Sequence, residues 1–356
     1  MSATRVALDA MGADLGVDEV VKGAVELSED ERHETEVVMV CDGAAIEGAL
    51  ETQAPRRRDR LHVVNAPQFV GMGEKPKVGL ADKPDCSLLT AARLVKRGEA
   101  DVLVSAGNTG AVILGASQTF ERLPGVRRVA LAAVHPTVEP HGPKRDPFAL
   151  MLDVGATLHV TADDLVAFAI MGAAYSRIIS DIPCPRVGLL SNGSEPTKGT
   201  AAIVDAHARL RAIRGFEFVG NVEGLDIPRG TVDVIVCEGF VGNIVLKMLE
   251  GVSEVAKDVA KKIAYGKRLH YKIALGLLSG GIRRIRRLTD WKHYGGAPIV
   301  GFDHLVIKAH GRSNARAIRN ALKVASKTVE RKLSDQVREG LAQDRGAEGG
   351  GPDDGG

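Results

Sequence analysis

The sequence predicts an α/β protein built on a mainly parallel β-sheet with helices on both faces. Short β-branched runs alternate with longer amphipathic stretches along the 356 residues, and this order is typical of parallel sheets. Several of the short runs are almost entirely apolar, as in Val-Asp-Val-Ile-Val at 232–236, which is expected of strands that are covered on both sides. The chain is also long enough to bury a sizeable core.

The elements can be assigned in order along the chain. The β-branched runs predict strands at Arg5–Asp9, Glu36–Val40, Leu61–Val64, Asp101–Ser105, Val129–Val134, Leu150–Val154, Val187–Leu190, Glu217–Val219, Val232–Val236 and Leu305–Lys308. The runs with helical periodicity predict helices at Val17–Leu27, Asp85–Arg97, Asn108–Arg122, Ala162–Ile179, Thr200–Ile213, Asn243–Tyr265 and Ser313–Val337. We therefore expect one catalytic α/β domain over residues 1–340, followed by a disordered, glycine-rich tail at 341–356.

One stretch interrupts the alternation of strands and helices. Helical periodicity continues through residues 243–292 without a convincing strand, which predicts a projecting helical hairpin. Two interpretations are open, and periodicity alone favours a hairpin packed at a dimer interface. In the other, apolar side chains at the tip touch a bilayer and arginines meet anionic head groups, at ~1 kcal/mol per basic residue. The membrane-contacting residues would be Leu275, Leu277, Leu278, Arg283 and Arg284.

Composition excludes several classes of protein. Lys plus Arg number 47 against 45 Asp plus Glu, and this balance argues against a nucleic-acid binder, which needs a basic face. No apolar run is long enough to span a bilayer, and no signal peptide is visible. The four cysteines are scattered without a C-x-x-C pair, so neither a disulfide framework nor a structural zinc site is expected. We expect a cytoplasmic protein without metal or cofactor.

The predicted carboxyl ends of the strands are rich in glycine and amide residues. Ligands of open parallel sheets bind at this edge, and backbone N–H groups in such turns bind anions, typically phosphate. No Walker A loop and no G-x-G-x-x-G motif is present. The candidate substrate- or phosphate-binding residues are Asp9, Gly12, Ser105, Gly107, Asn108, Thr109, Asn192, Gly193, Gly242 and His310.

Individual reactive side chains carry weaker signals. Lys198, in a glycine-flanked loop before a helix, is the best charged candidate, although a solvated lysine is equally compatible with its spacing. His310 fits a capping or buried structural histidine better than a general base, and Cys237 fits a small buried residue better than a nucleophile. If phosphate itself attacks an activated acyl group, no nucleophile from the protein is needed. The site then requires an anion cradle and a Lys or Asn for the oxyanion.

Taken in order, the motifs resemble the bacterial phosphate acyltransferases, which make acyl phosphate from acyl carrier protein thioesters for phospholipid synthesis. The matching segments are Asp9-Ala-Met-Gly12, Ser105-Ala-Gly-Asn-Thr-Gly110, Leu152-Asp-Val-Gly-Ala156, Pro185-Arg-Val-Gly-Leu-Leu190, Lys198-Gly199, Val219-Gly-Asn-Val-Glu223, Glu238-Gly-Phe-Val-Gly-Asn243, Tyr294-Gly-Gly-Ala297 and Lys308-Ala-His-Gly311. They extend over nearly the whole chain and leave only the tail outside.

The resemblance implies a three-layer, Rossmann-like fold of the isocitrate dehydrogenase type and a homodimer. It implies that Lys198 and Asn243 are the catalytic residues and that acyl-ACP and phosphate are the substrates. The hairpin falls where the family attaches peripherally to anionic membranes, which raises the membrane interpretation above the dimer one. The product would pass to an acyl-phosphate:glycerol-3-phosphate acyltransferase.

Two other functions remain open, although both rank below acyl transfer from acyl-ACP to phosphate. One is a phosphotransacylase that uses acyl-CoA. The other is a non-catalytic, membrane-associated scaffold, which is suggested by the loop at Gly71–Ser87. There Cys86 stands where the family has a serine, and one basic residue is missing.

Overall fold

The computed structural model describes residues 3–265, 280 and 295–348. Its strands are β1 (Thr4–Asp9), β2 (Thr35–Cys41), β3 (Leu61–Asn65), β4 (Val102–Ser105), β5 (Ala130–His141), β6 (Asp146–Leu152), β7 (Arg186–Leu190), β8 (Glu217–Val222), β9 (Val234–Val236), β10 (Ala297–Val300) and β11 (Leu305–Lys308). Its helices are α1 (Gly16–Ser28), α2 (Gly43–Gln53), α3 (Pro76–Asp82), α4 (Ser87–Lys96), α5 (Thr109–Thr119), α6 (Ala162–Ile179), α7 (Ala201–Leu210), α8 (Asp226–Arg229), α9 (Gly239–Tyr265), α10 (Ala315–Glu330) and α11 (Leu333–Glu348).

The described strands form one continuous sheet in the order β3-β2-β1-β4-β11-β10-β5-β6-β9-β7-β8. Neighbours are parallel from β3 to β11 and again from β6 to β8. The antiparallel strands β10 and β5 join the two parallel groups. The predicted parallel-rich sheet is therefore confirmed, with the carboxyl ends of each group gathered on one edge.

Helices cover both faces of the sheet, and side-chain alternation along each strand explains why. In β4, Leu103 packs into the core beneath α4 and α5, whereas Val102 and Val104 pack on the other face beneath α1 and α10. In β9, Ile235 lies on the first face and Val234 on the second, beneath α6. Because successive side chains of each strand are buried on opposite faces, helices pack on both faces of the sheet and the protein has three layers.

Several boundaries differ from the prediction. The strand β10 was missed, because Pro298 interrupts a short run between glycines. The helix predicted at Ser313–Val337 is two helices, since Lys332 adopts a left-handed conformation with φ 54° between α10 and α11. The disordered tail predicted from residue 341 is wrong for residues 341–348, which belong to α11. Leu341 is only 4% exposed and packs in the core with Val337.

The helical prediction for the segment after β9 is confirmed as far as Tyr265, where the description of α9 ends. The rest of the predicted hairpin lies outside the described residues. This includes Leu275, Leu277, Leu278, Arg283 and Arg284. Among the helices that are described, none is long and apolar enough to cross a membrane.

Candidate active site

Loops that follow β1, β4 and β11 form what we call the first loop cluster. Asp9, Ser105 and Lys308 end these three neighbouring strands and pair in one row across the sheet. The Asp9 carboxylate accepts hydrogen bonds from Ser105 Oγ at 2.7 Å and from Ser87 Oγ at 2.6 Å. Ser87, which was not among the predicted site residues, belongs to the altered Gly71–Ser87 loop. This loop therefore retains one hydroxyl on Asp9.

Burial is the main cause of the pKa shifts of Asp9 and Lys308 in this row. It raises the pKa of Asp9 despite the hydrogen bonds from Ser87 and Ser105. It also lowers the pKa of Lys308 to about 8, against the opposing pull of Asp9 and Asp14. Lys308 Nζ donates to the carbonyl of Ala309. Lys308 was not among the predicted site residues. It could have been found from the sequence, because it is a charged residue at the end of an otherwise apolar strand.

The glycine turns of the first loop cluster pack directly on one another. Gly12 has φ +80°, a conformation that favours glycine, and a Cβ added there would stand 3.3 Å from Val70 O and 3.4 Å from Gly107 Cα. Asn108 caps α5 by accepting from Ala111 N at 3.2 Å, and its amide donates to Met72 O at 3.0 Å. The Asn108 side chain is thus engaged within the protein.

His310 follows β11 and has a defined tautomer in its neutral form. Its Nδ1 accepts a hydrogen bond from the backbone N–H of Arg312 at 3.1 Å, so Nε2 carries the proton. His310 is exposed rather than a buried structural histidine. Partial burial still lowers the pKa of His310, the positive charge of Lys247 lowers it further, and Glu250 raises it. Because Lys247 and Glu250 belong to α9, the first loop cluster faces this helix.

Loops that follow β6, β7 and β9 form the second loop cluster, and Asp153 organises it. Its Oδ1 accepts from the backbone N–H groups of Leu131 (3.0 Å), Gly155 (3.0 Å) and Ala156 (2.9 Å). Its Oδ2 accepts from the N–H and the hydroxyl of Thr157, both at 2.7 Å. A fully buried carboxylate is stable when so many donors surround it. Asp153 lies in the Leu152–Ala156 motif but was not among the predicted site residues.

The first turn of α9 lies against this Asp153 turn. A Cβ at Gly239 or Gly242 would overlap atoms of Asp153, so only glycine permits the close approach. Thr157 Oγ1 accepts from Gly239 N at 3.1 Å and ties the two segments together. Asn243, one residue beyond Gly242, is exposed, and a Cβ built on Gly155 would stand 3.7 Å from its Cγ.

Lys198 lies in the loop after β7, the strand next to β9. Lys198 N donates to Glu195 O at 3.0 Å, which closes a turn with Pro196 at its second position, a position that favours proline. The side chain is exposed and its stem passes over Gly193, where an added Cβ would come within 2.8 Å of Lys198 Cγ. Lys198 and Asn243 therefore follow neighbouring strands on the same edge of the sheet.

The thiol of Cys237 is unsuited to act as a nucleophile. Cys237 is buried, its Sγ donates to Asp153 O at 3.3 Å, and burial beside Asp153 and Glu238 raises its pKa far above the usual range. Only a thiolate is a competent nucleophile. The interpretation of Cys237 as a small buried residue fits its surroundings.

A surface cavity of about 770 Å³ lies away from both clusters, between α6, α7 and α11. Pro183, Gly215 and Phe216 line it, and these precede β7 and β8. The cavity therefore opens at the amino ends of the strands, opposite to Lys198. Two of its arginines have protein partners: Arg177 donates to Gly215 O at 2.6 Å and Arg209 to Asp163 Oδ1 at 2.5 Å.

Comparison with known proteins identifies the family. A family model described as "Fatty acid synthesis protein" matches residues 4–336. The phosphate acyltransferase of Heliobacterium modesticaldum is 41% identical over 335 residues, covering 94% of this chain and 97% of that protein. That of Thermoanaerobacter pseudethanolicus is 36% identical, with coverage of 94% and 96%. The chain belongs to the phosphate acyltransferase family. It is accordingly an enzyme, an acyltransferase, as the resemblance implied.

Solved structures agree on the fold of this family member. A phosphotransacetylase from Streptococcus pyogenes superposes with a TM-score of 0.61 at 16% identity, over 92% of this chain and 94% of that chain. A 4-hydroxythreonine-4-phosphate dehydrogenase from Klebsiella pneumoniae gives 0.50 at 13% identity, with coverage of 92% and 98%. The expected three-layer fold, shared with dehydrogenases, is confirmed.

The predicted site residues of this acyltransferase divide between the two clusters. Asp9, Gly12, Ser105, Gly107, Asn108, Thr109 and His310 lie in the first, and Asn192, Gly193, Lys198, Gly242 and Asn243 lie in the second. Four buried residues whose side chains hydrogen-bond to groups of these loops were not among the predicted site residues. These are Ser87, Asp153, Asn221 and Lys308.

Proposed function

We propose that the protein transfers an acyl group from acyl-acyl carrier protein to inorganic phosphate and so supplies acyl phosphate for phospholipid synthesis. A phosphate oxygen attacks the thioester carbonyl, the C–S bond breaks, and the carrier protein leaves as a thiolate that takes up a proton. Lys198 binds the phosphate and the developing oxyanion, and the Asn243 amide donates a hydrogen bond to the same oxyanion.

The observation that carries this proposal is the placement of Lys198 and Asn243. Both are exposed, both pack beside glycines, and both follow neighbouring parallel strands on one edge. The thiol at this edge, Cys237, is buried and protonated. A site that offers a lysine and an amide as donors, and whose thiol is protonated, favours direct attack by phosphate over a covalent acyl-enzyme.

The proposal includes a homodimer and a contact with the membrane. One side of α9 exposes apolar side chains at intervals of three or four residues, which supports a homodimer contact. These residues are Phe240, Ile244, Met248, Val252, Val255 and Val259.

The segment after α9 would contact anionic lipid from the cytoplasmic side. The acyl phosphate would then pass to an acyl-phosphate:glycerol-3-phosphate acyltransferase.

The test is to incubate the pure protein with palmitoyl-acyl carrier protein, with and without phosphate. Release of free thiol is followed, and acyl phosphate is trapped with hydroxylamine. We expect release that requires phosphate, and a decrease of ~100-fold or more in Lys198→Ala, the usual effect of removing one oxyanion donor. Lys22→Ala, on the exposed side of α1, is the matched control and should be unchanged.

Each other outcome contradicts a specific part of the proposal. Full activity of Lys198→Ala would remove the role of that residue. Equal or faster release from palmitoyl-CoA would assign the donor to the CoA class instead. No release from either donor would leave a non-catalytic scaffold.

A further inference from the structure

The strand β8 contains a bulge directly behind the Lys198 loop. Phe218 pairs with Val187 and Gly220 with Gly188, so Val219 is an extra residue in the parallel ladder. Gly220 has φ +104°, which allows the strand to continue after the insertion. Bulges of this kind often re-aim a side chain beside an active site.

The bulge determines which way Asn221 points. In a regular strand, Phe218 and Asn221 would point to opposite faces, because they are three residues apart. Both instead contact His207 on α7. The rings of Phe218 and His207 meet edge to face with centroids 5.1 Å apart, and His207 Nδ1 lies 3.1 Å from Asn221 Oδ1. The inserted residue therefore turns Asn221 toward the Lys198 loop.

The hydrogen bonds of Asn221 end on the turn that carries Lys198. Asn221 Nδ2 donates to Glu195 O at 2.8 Å and reaches Lys198 O at 3.4 Å. These two carbonyls fix the orientation of the amide, since only its nitrogen can donate to them. His207 Nδ1 must then be the protonated nitrogen that donates to Asn221 Oδ1. Asn221 is 7% exposed and His207 is 6% exposed, so this arrangement is shielded from water.

We propose that Asn221 is a positioning residue for Lys198, aimed by the bulge at Val219 and oriented by His207. It does not touch the reacting atoms. It fixes the Glu195–Lys198 turn, and through this turn the path of the lysine side chain over Gly193. The inference rests on the proposed role of Lys198 in acyl transfer to phosphate.

The first test is Asn221→Asp, which places a carboxylate oxygen opposite the two carbonyls. The turn must then move, and a misplacement of about 1 Å can reduce the rate ~100-fold. We expect kcat/KM for phosphate to fall by about this factor. The control is Asn65→Asp at the end of β3, the outermost strand on the side of the sheet away from β8. There the side chain accepts from Gly43 N at 2.9 Å, and because a carboxylate retains that bond, activity should stay within about 2-fold.

A double-mutant cycle separates positioning from a general structural effect. If Asn221 acts only through Lys198, adding Asn221→Asp to Lys198→Ala should lower the residual activity by less than about 3-fold. A further ~100-fold decrease in that background would overturn the inference, and so would wild-type kinetics of Asn221→Asp alone. If Lys198→Ala is itself fully active, the role assigned to Lys198 is wrong and the inference about Asn221 falls with it. If the wild type releases no thiol from either donor, the proposed function fails, so the two failures are distinguishable.

A second variant covers the case in which Asn221→Asp does not fold. His207→Phe keeps an aromatic ring against Phe218 but removes the donor to Asn221 Oδ1. The amide can then rotate, and we expect a loss of ~10-fold in kcat/KM that also disappears in the Lys198→Ala background. An unchanged kcat/KM in His207→Phe would contradict the role of His207 and the orientation assigned to Asn221.

Discussion

Gly242 is the position in the second loop cluster where a single methyl group should do the most damage. An added Cβ would overlap the carbonyl oxygen of Asp153, which is a backbone atom, and would stand 2.9 Å from Cys237 Sγ. Neither neighbour can rotate away, because Asp153 is held by the donors around its carboxylate and Cys237 is buried. The first turn of α9 must therefore shift by on the order of 1 Å in Gly242→Ala, and Asn243 moves with it.

The expected size of the effect follows from that overlap. Overpacking of a well-packed interior costs about 1–3 kcal/mol, so the free energy of unfolding of Gly242→Ala should decrease by about 2 kcal/mol. A displacement of the catalytic amide by ~1 Å should lower kcat ~100-fold. Unfolding is measured with urea, and acyl transfer is measured well below the midpoint of thermal unfolding, so that the rate refers to folded protein.

Gly48→Ala, in the middle of α2, is the matched control. Gly48 is exposed, a Cβ there would meet nothing within 4 Å, and α2 is not part of the proposed homodimer contact. Replacing a mid-helix glycine by alanine should increase the free energy of unfolding by roughly 0.5–1 kcal/mol, with unchanged kcat. Wild-type stability and activity of Gly242→Ala would show that α9 does not rest on the Asp153 turn and would refute the reasoning.

Two further predictions concern the other cluster and the proposed membrane contact. Partial burial, together with the charge of Lys247, lowers the pKa of His310 below its ordinary value of 6.5, so the unfolded chain binds the proton more tightly. Stability is then lost as the pH falls from 6.5 toward that lowered pKa. His310→Asn keeps an acceptor for Arg312 N but does not titrate. Its urea midpoint should therefore decrease less than that of the wild type between pH 7.5 and 5.5, and equal decreases would exclude His310 as the cause. Charged residues at Leu277 and Leu278 should release the protein from anionic vesicles in sedimentation, and unchanged binding would contradict the membrane contact.

Much of the fold could be predicted because the spacing of apolar residues in the sequence follows from which faces of the strands and helices are buried. Apolar runs such as 232–236 are buried on both faces, and α6 was predicted with its observed bounds because its residues are buried almost throughout. Features set by single backbone conformations were not predictable in this way. Lys332 breaks a run that remains periodic across it, and its left-handed φ has no signature in the hydrophobic pattern.

The same limit explains why the candidate site was predicted only in part. Loop residues such as Lys198 and Asn243 could be selected because glycines and polar side chains after a strand indicate a ligand edge. Asn221 lies inside a strand, and whether it faces the Lys198 turn depends on the inserted residue Val219. Shifting the register by one residue reverses every side chain beyond it, so period-two reasoning assigns Asn221 to the wrong face. Only the pairing of β8 with β7 shows that a buried amide and an exposed lysine are parts of one arrangement.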